Sequence, residues 1–341
     1  MKKRWLIIAC VLLQACEKDE RLQVTGEQSS LDKNSISSTG SWQQKADVGG
    51  IPRFGAVSFS IGDKGYIGTG SSEVGNLQDF WEYDPATETW TRKADLPVAL
   101  SASFGFSIGN KGYVGAGQSS GGELVRDFWE YDPGTNTWTK KANYPGSGLW
   151  GASGFSIGEY GYAGTGNTGL FSGETPDGNP QKDFWRYNPA NNTWTRIADF
   201  GGVARAFAVA FCIGKNGYLG TGITGLYFNF TKDFWEYDPK SNIWIQKADF
   251  GGGLRGWAAG FSIHHKGYIG TGKTVPVSSN DIGERNDFWE FNPGANKWKQ
   301  VAAFEGGNRA YATGFSIKNK GYLGTGVFEF DVSLKDFWEF K

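Results

Sequence analysis

Short runs in which apolar residues alternate with small polar ones recur along most of the chain, and they recur at a regular interval. Ala56-Val57-Ser58-Phe59-Ser60-Ile61 has the two-residue period of a half-buried strand. Tyr66 to Gly70 is short and glycine-rich, Phe80 to Tyr83 is aromatic on both faces, and Thr89 to Lys93 alternates around Trp90, so one unit predicts four strands. Between them Gly62-Asp63 and Asp84-Pro85 are turn chemistry: glycine supplies positive φ and proline presets the first turn dihedral. The unit then repeats. Asp79-Phe80-Trp81-Glu82-Tyr83-Asp84-Pro85 is echoed from Asp127, Asp183, Asp233 and Asp287, and a truncated copy runs from Asp336 to Phe340. Asp79 and Asp336 lie 257 residues and five repeats apart, about 51 residues per repeat.

Six units of four antiparallel strands, with aromatic residues on both faces, predict an all-β fold: a six-bladed β-propeller with blades packed face to face around an axis. Over residues 42 to 341 the chain resembles the kelch family, through the paired glycines of the second strand, the Tyr-Asp-Pro of the third and the Trp of the fourth. One departure is Gly68-Thr69-Gly70, where kelch blades usually have adjacent glycines. The sixth unit supplies three strands, while Ser41 to Asp47 resembles the fourth strand Thr89 to Asp95. The N-terminal strand is therefore expected to close the last blade and remove an open edge.

The start of the chain reads differently. Lys2-Lys3-Arg4 followed by the apolar run Trp5 to Leu13 has the form of a signal peptide, its apolar part too short to span a bilayer. Leu13-Gln14-Ala15-Cys16 resembles a bacterial lipobox, which implies cleavage before Cys16 and lipid on its thiol. Glu17-Lys18-Asp19-Glu20 is similar to the acidic signal that sends some Bacteroidetes lipoproteins to the outer cell surface. The expected organisation is a signal peptide at 1–15, a lipidated flexible tether at 16–40 with a reach of about 25 to 30 Å, and the propeller at 41–341. The protein is expected to be an outer membrane lipoprotein, exposed at the cell surface and held to the membrane through Cys16 alone.

Charge and cysteines narrow the function classes. Loss of Lys2, Lys3 and Arg4 takes the formal charge from -1 to -4, so no basic field invites nucleic acid. With Cys10 removed and Cys16 lipidated, Cys212 stands alone at a position that is Ser60, Ser107, Ser156, Ser262 and Ser316 in the other blades, and it reads as a small buried residue. His264 and His265 are adjacent in a turn, so no Ser-His-acid set, zinc spacing or copper site of the galactose oxidase kind is available. Asp177-Gly178-Asn179 and Asp281 to Glu284 are acidic, without the spacing of a known calcium loop. No catalytic residue, metal or cofactor is assigned, and the ring is expected to be monomeric.

A scaffold residue recurs in every blade, so candidate function lies in what breaks the repeat. The repeated Asp79, Asp127, Asp183, Asp233, Asp287 and Asp336 read as structural partners of nearby backbone or turn groups. Strand direction puts the variable second-to-third loops and the blade connections on one face, where function is expected. There stand Arg53, Arg205, Arg255 and Arg309, with Leu100 and Leu149 at the equivalent positions of blades two and three. Two residues on come Phe207, Trp257 and Tyr311, against Gly55, Ala102 and Gly151 in the first three blades; Phe54 and Trp150 adjoin them. Guanidinium forks suit carboxylates and hydroxyl-rich ligands, and aromatic faces suit sugar rings or apolar side chains. Loop aromatics Phe171, Tyr227, Phe228, Phe230, Phe328 and Phe330 could wall the site. The expectation is an envelope binding protein that recognises a glycan or an envelope or extracellular protein partner at this mouth. The alternatives are a structural subunit of an envelope complex, or a sugar-acting enzyme like the sialic acid mutarotases, which are also six-bladed kelch proteins.

Overall fold

The computed structural model describes residues 40–341 apart from 170, 173–174, 177–178, 226–228, 277–280, 282 and 330–331, and gives the backbone alone at 171–172 and 175–176. The predicted leader, Cys16 and most of the tether therefore lie outside the described residues. So do Asp177, Gly178, Tyr227, Phe228, Phe330 and the side chain of Phe171.

Each repeat folds as one four-stranded antiparallel sheet in simple meander order, and there are six such sheets. Blade one is Val57–Ile61, Lys64–Gly68, Phe80–Asp84 and Thr89–Lys93. The first strands of successive blades neighbour one another in a closed cycle and line the axis. Compared with the predicted strands, the second is shifted: it ends at Gly68, because Thr69 and Gly70 leave the sheet with φ of 59° and 95°. All six blades make this kink, with Thr69, Ala116, Thr165, Thr221, Thr271 and Thr325 between φ 55° and 60°. Left-handed backbone is costly for a β-branched residue, so the kink is held by its surroundings. In each case the residue's N–H donates to the carbonyl of the recurrent Asp, for example Thr69 to Asp79 at 3.1 Å.

Closure is as the repeat count implies. Trp42–Lys45 is the outer strand of blade six, pairing Trp42 with Phe340 and Lys45 with Phe337. The Trp42 indole donates to Ala302 O at 3.1 Å, and the fourth-strand tryptophan of each other blade does the same to the preceding blade, Trp90 to Ala46 O at 3.0 Å and Trp138 to Ala94 O at 2.9 Å among them. The six blades are thus latched to their neighbours by one repeated bond, over a core of interleaved aromatic rings such as Phe80 against Tyr131 at 4.9 Å and Trp138 at 5.0 Å.

The loop face carries a second layer. Short strands such as Ile223–Thr224 with Asn229–Phe230, and Val327–Phe328 with Val332–Ser333, rise beside the axis. Bridges Ala206 to Ile223 and Ala310 to Val327 tie them to the blade connections, while the first-to-second and third-to-fourth turns of the opposite face stay short. The chain enters the fold on that opposite face, where Ser41 N–H donates to Lys341 O at 3.1 Å.

Candidate functional site

The arginines that the sequence places at the mouth are turned away from it. Arg53, Arg205, Arg255 and Arg309 are all at most 1% exposed. Each guanidinium grips the recurrent Asp of its own blade in a two-bond fork: Arg53 to Asp79 at 2.7 and 2.6 Å, Arg205 to Asp233 at 2.7 and 2.7 Å, Arg255 to Asp287 at 2.8 and 3.0 Å, and Arg309 to Asp336 at 2.7 and 2.8 Å. A further donor goes to the carbonyl of the kinked residue, such as Arg255 to Thr271 O at 2.7 Å. The same carboxylates accept an indole N–H two residues on, Trp81 at 2.7 Å and Trp289 at 2.6 Å. The Asp residues are structural, then, their backbone carbonyls accepting from the kinked residue as a backbone partner was expected, and their carboxylates binding arginine and indole side chains that were not. A buried guanidinium demands this pairing, because leaving its charge unmatched would cost several kcal/mol.

Burial alone would raise the Asp79 and Asp233 carboxyls, yet the bonds and charge of Arg53 and Arg205 outweigh it and hold both below the ordinary carboxylate range. A lowered folded-state pKa contributes stability that is complete above the unfolded value near 3.9 and is lost as pH falls through the folded value. Melting temperature is therefore expected to be level above about pH 5 and to fall below about pH 4, with a shallower fall in Asp79→Asn plus Asp233→Asn. Equal slopes in parent and variant, by scanning calorimetry, would remove these carboxylates from the account.

Blades two and three solve the same corner without arginine. Leu100 and Leu149 fill the space with at most 1% exposure, Asp127 turns to Lys140 at 2.8 Å, and Asp183 keeps its indole bond from Trp185 at 2.7 Å. The arginines thus mark how a blade is braced, and the site has to be built from what remains at the mouth.

What remains is aromatic. Gly55, Ala102, Gly151, Phe207, Trp257 and Tyr311 occupy equivalent positions in the six blades, all with φ between 52° and 63°. Their backbones are strung around the axis: Ala102 N–H donates to Gly55 O at 2.9 Å, Gly151 to Ala102 O at 2.8 Å, Phe207 to Gly151 O at 2.7 Å, Tyr311 to Trp257 O at 3.0 Å and Gly55 to Tyr311 O at 3.1 Å. Glycine takes this conformation freely, whereas a bulky side chain takes it only under constraint. The three consecutive aromatics are therefore held in strained backbone, a feature that clusters at functional sites.

They pack into one continuous cluster. Trp257 stacks on Tyr311 with centroids 5.2 Å apart, Phe207 meets Tyr311 edge-on at 5.4 Å, and Trp150 stands at 89° to Phe207 at 5.1 Å. Phe54 joins Tyr311 at 5.7 Å and Phe230 backs Trp257 at 5.7 Å. Phe54, Trp150, Phe207 and Tyr311 are half-buried, whereas Trp257 between them is 5% exposed and lies in the core of the cluster. Phe207 leans over Gly151, where an added Cβ would lie 2.8 Å from its ring, so glycine there makes room for the platform.

A cavity of about 160 Å³ is lined by this ring of residues from all six blades, the three aromatics included, and by the next residue of each blade: Ala56, Ser103, Ala152, Ala208, Ala258 and Ala312. Burial raises the Tyr311 hydroxyl above the ordinary phenol range, so it stays a neutral donor. The structure brings Phe54, Trp150, Phe207, Trp257, Tyr311 and Phe230 together here, as the sequence places them, and separates all four arginines from them.

Elsewhere Cys212 and the acidic stretch at Asp281, to which the sequence assigns no site, are part of the scaffold. Cys212 is half-buried and lines the axial channel in a ring with Ser60, Ser107, Ser156, Ser262 and Ser316, where burial pushes its thiol up to about 11. Asp281 pairs with Arg285 at 2.7 Å and accepts the Gly283 N–H at 2.8 Å, and Glu284 is 1% exposed. Among the described residues no group of three or more His, Cys, Asp or Glu side chains converges on a metal position.

The fold defines a six-bladed β-propeller whose most asymmetric feature is its mouth. Among solved structures the chain is similar to that of YjhT, with a TM-score of 0.72 over 86% of this chain and 95% of that one, at 16% identity. That likeness bears on the fold. No protein-family model matches the chain, and no curated protein matches it either.

Proposed function

We propose that this protein binds a neutral, flat-faced ligand, a glycan ring foremost, on the aromatic half of the propeller mouth. The observation that carries the reading is the run of three bulky aromatics, Phe207, Trp257 and Tyr311, held at φ 53° to 56° in consecutive blades while the other three blades have glycine or alanine. A scaffold role would be met by glycine at lower backbone cost, and an aromatic face stacks well on the apolar face of a sugar. The arginine donors are committed to Asp, which favours neutral over acidic sugars. A mutarotase-like activity toward an acidic sugar gains nothing from the cavity lining, whose only titratable side chain is Tyr311.

The location follows from the sequence: a lipidated tether would place the ring at the outer membrane.

The test is a thermal-shift panel of neutral and acidic mono- and oligosaccharides on residues 40–341. A ligand at about a hundred times its Kd adds about 2.7 kcal/mol to the folded state. The expected result is a shift with neutral sugars that disappears in Phe207→Gly, Trp257→Ala, Tyr311→Gly, which gives all six blades the residues of the first three. A shift confined to acidic sugars, or one retained by that variant, would overturn the reading. No shift with any sugar would hand the same surface to a protein partner.

A further inference from the structure

On the side that faces the next blade, the blades carry a polar ladder, and blade three has it rebuilt. In the other five a third-strand glutamate accepts the hydroxyl of the second-strand tyrosine opposite it: Tyr66 to Glu82 at 2.5 Å, Tyr113 to Glu130 at 2.6 Å, Tyr218 to Glu236 at 2.9 Å, Tyr268 to Glu290 at 2.8 Å and Tyr322 to Glu339 at 2.8 Å. A lysine completes each ladder. It comes from the start of the second strand, as Lys266 to Glu290 at 2.6 Å, or from three residues past the fourth-strand tryptophan, as Lys247 to Glu236 at 3.1 Å. Blade three has Arg186 in place of the glutamate, with Tyr160 and Ile197 at the two lysine positions. Three changes together thus invert the charge: a cation stands where the anion was, and no ammonium is left to repel it.

Inverted, the ladder has no counter-charge of its own. The half-buried Arg186 guanidinium lies 4.8 Å over the Tyr160 ring and against the Tyr162 hydroxyl, in the crevice where Tyr162 meets Tyr237 of blade four with centroids 5.7 Å apart. The acids around it are engaged elsewhere: Asp183 with the Trp185 indole at 2.7 Å, Asp199 with Arg196 at 2.8 Å, and Asp238 of blade four with the Ser241 hydroxyl at 2.7 Å and the Lys240 N–H at 2.9 Å. Glu159, beside Tyr160, is exposed. Among the described residues Arg186 makes no ion pair. A half-buried cation is costly without a partner, and a planar guanidinium is shaped to take an oxyanion in a two-bond fork.

We propose that this crevice is an oxyanion site, in which Arg186, held flat on Tyr160 and flanked by the Tyr162 hydroxyl, takes a carboxylate or phosphate group as the counter-charge that the other five blades supply from their own chain. The cation–π contact fixes the plane of the guanidinium and leaves its N–H edge for the ligand. Burial raises the Tyr162 hydroxyl above the ordinary phenol range, so it stays protonated beside the anion. The site shares no residue with the mouth, and it stands or falls independently of sugar binding there.

Proton–nitrogen NMR of the Arg186 side-chain N–H in residues 40–341, a ring that closes through its own Trp42–Lys45, tests this. Sodium phosphate and sodium acetate are titrated separately at constant ionic strength, and Arg186→Gln identifies the signal. The expected result is a shift that saturates with a Kd of about 10 mM or tighter. Saturation by acetate alone would assign the ligand as a carboxylate, and by phosphate alone as a phosphate group. Tyr160→Lys plus Arg186→Glu plus Ile197→Lys rebuilds the ladder of blade one. That variant should melt where the parent does and, by calorimetric titration, bind the anion at least about tenfold more weakly, as should Arg186→Gln. The proposal fails if the Arg186 signal saturates with neither anion, or if either variant binds as tightly as the parent.

Discussion

A chain lacking residues 41 to 47 is expected to lose its cooperative melting transition or to melt far below the parent. The segment supplies the outer strand of blade six and packs Trp42 against Phe304 at 4.8 Å, Phe340 at 4.9 Å and Phe288 at 5.1 Å. Two neighbouring blades share those rings, so the loss opens an edge and a core together. Trp42→Ala alone should cost about 3 to 5 kcal/mol. For a ring of this size that is a fall of about 10 °C. Trp42→Phe, which keeps part of the packing and loses the bond to Ala302, should cost less, about 1 to 3 kcal/mol. Thermal melts followed by near-ultraviolet circular dichroism read all three, and an unchanged transition in the deletion would mean that the ring is closed some other way.

Arg255→Ala is expected to destabilise the ring by about 3 kcal/mol without touching ligand binding. The low end of the range for a broken buried pair applies because Asp287 keeps 22% side-chain exposure. Arg255→Leu combined with Asp287→Asn should recover much of the loss, since it removes both charges and imitates the leucine that blades two and three already use. Urea denaturation of the single and double variants, with sugar binding measured beside it, separates brace from ligand contact. A loss of binding with no loss of stability would return the arginine to the site.

Much of this molecule is legible in the sequence because a repeat states its own period. The strand alternation, the recurring Asp-Phe-Trp and the orphan strand at Trp42 all survive in the structure. The arginines show where that legibility stops. Arg53 and Asp79 are 26 residues apart, and only the three-dimensional turn of the blade brings them to 2.6 Å. The position faces the mouth in the backbone, but the long side chain runs back into the blade, which alternation along a strand does not reveal. One signal was present: a position that accepts either arginine or leucine is more readily buried than exposed. The strain at Phe207, Trp257 and Tyr311 was hidden for a related reason. Aromatic residues give no sequence sign of left-handed backbone, although the Gly55 and Gly151 of sister blades hinted at it.

The aromatic platform is the central claim, and its indole groups report on it directly. In a two-dimensional proton–nitrogen NMR titration with the neutral sugar that gives the largest thermal shift, the indole signals of Trp150 and Trp257 should move together and saturate. The fourth-strand tryptophans Trp90, Trp138, Trp194, Trp244 and Trp298, which donate to neighbouring blades, should stay in place. Shifts confined to the fourth-strand set, or none at Trp150 and Trp257 under saturating ligand, would contradict a binding site at the mouth of the ring.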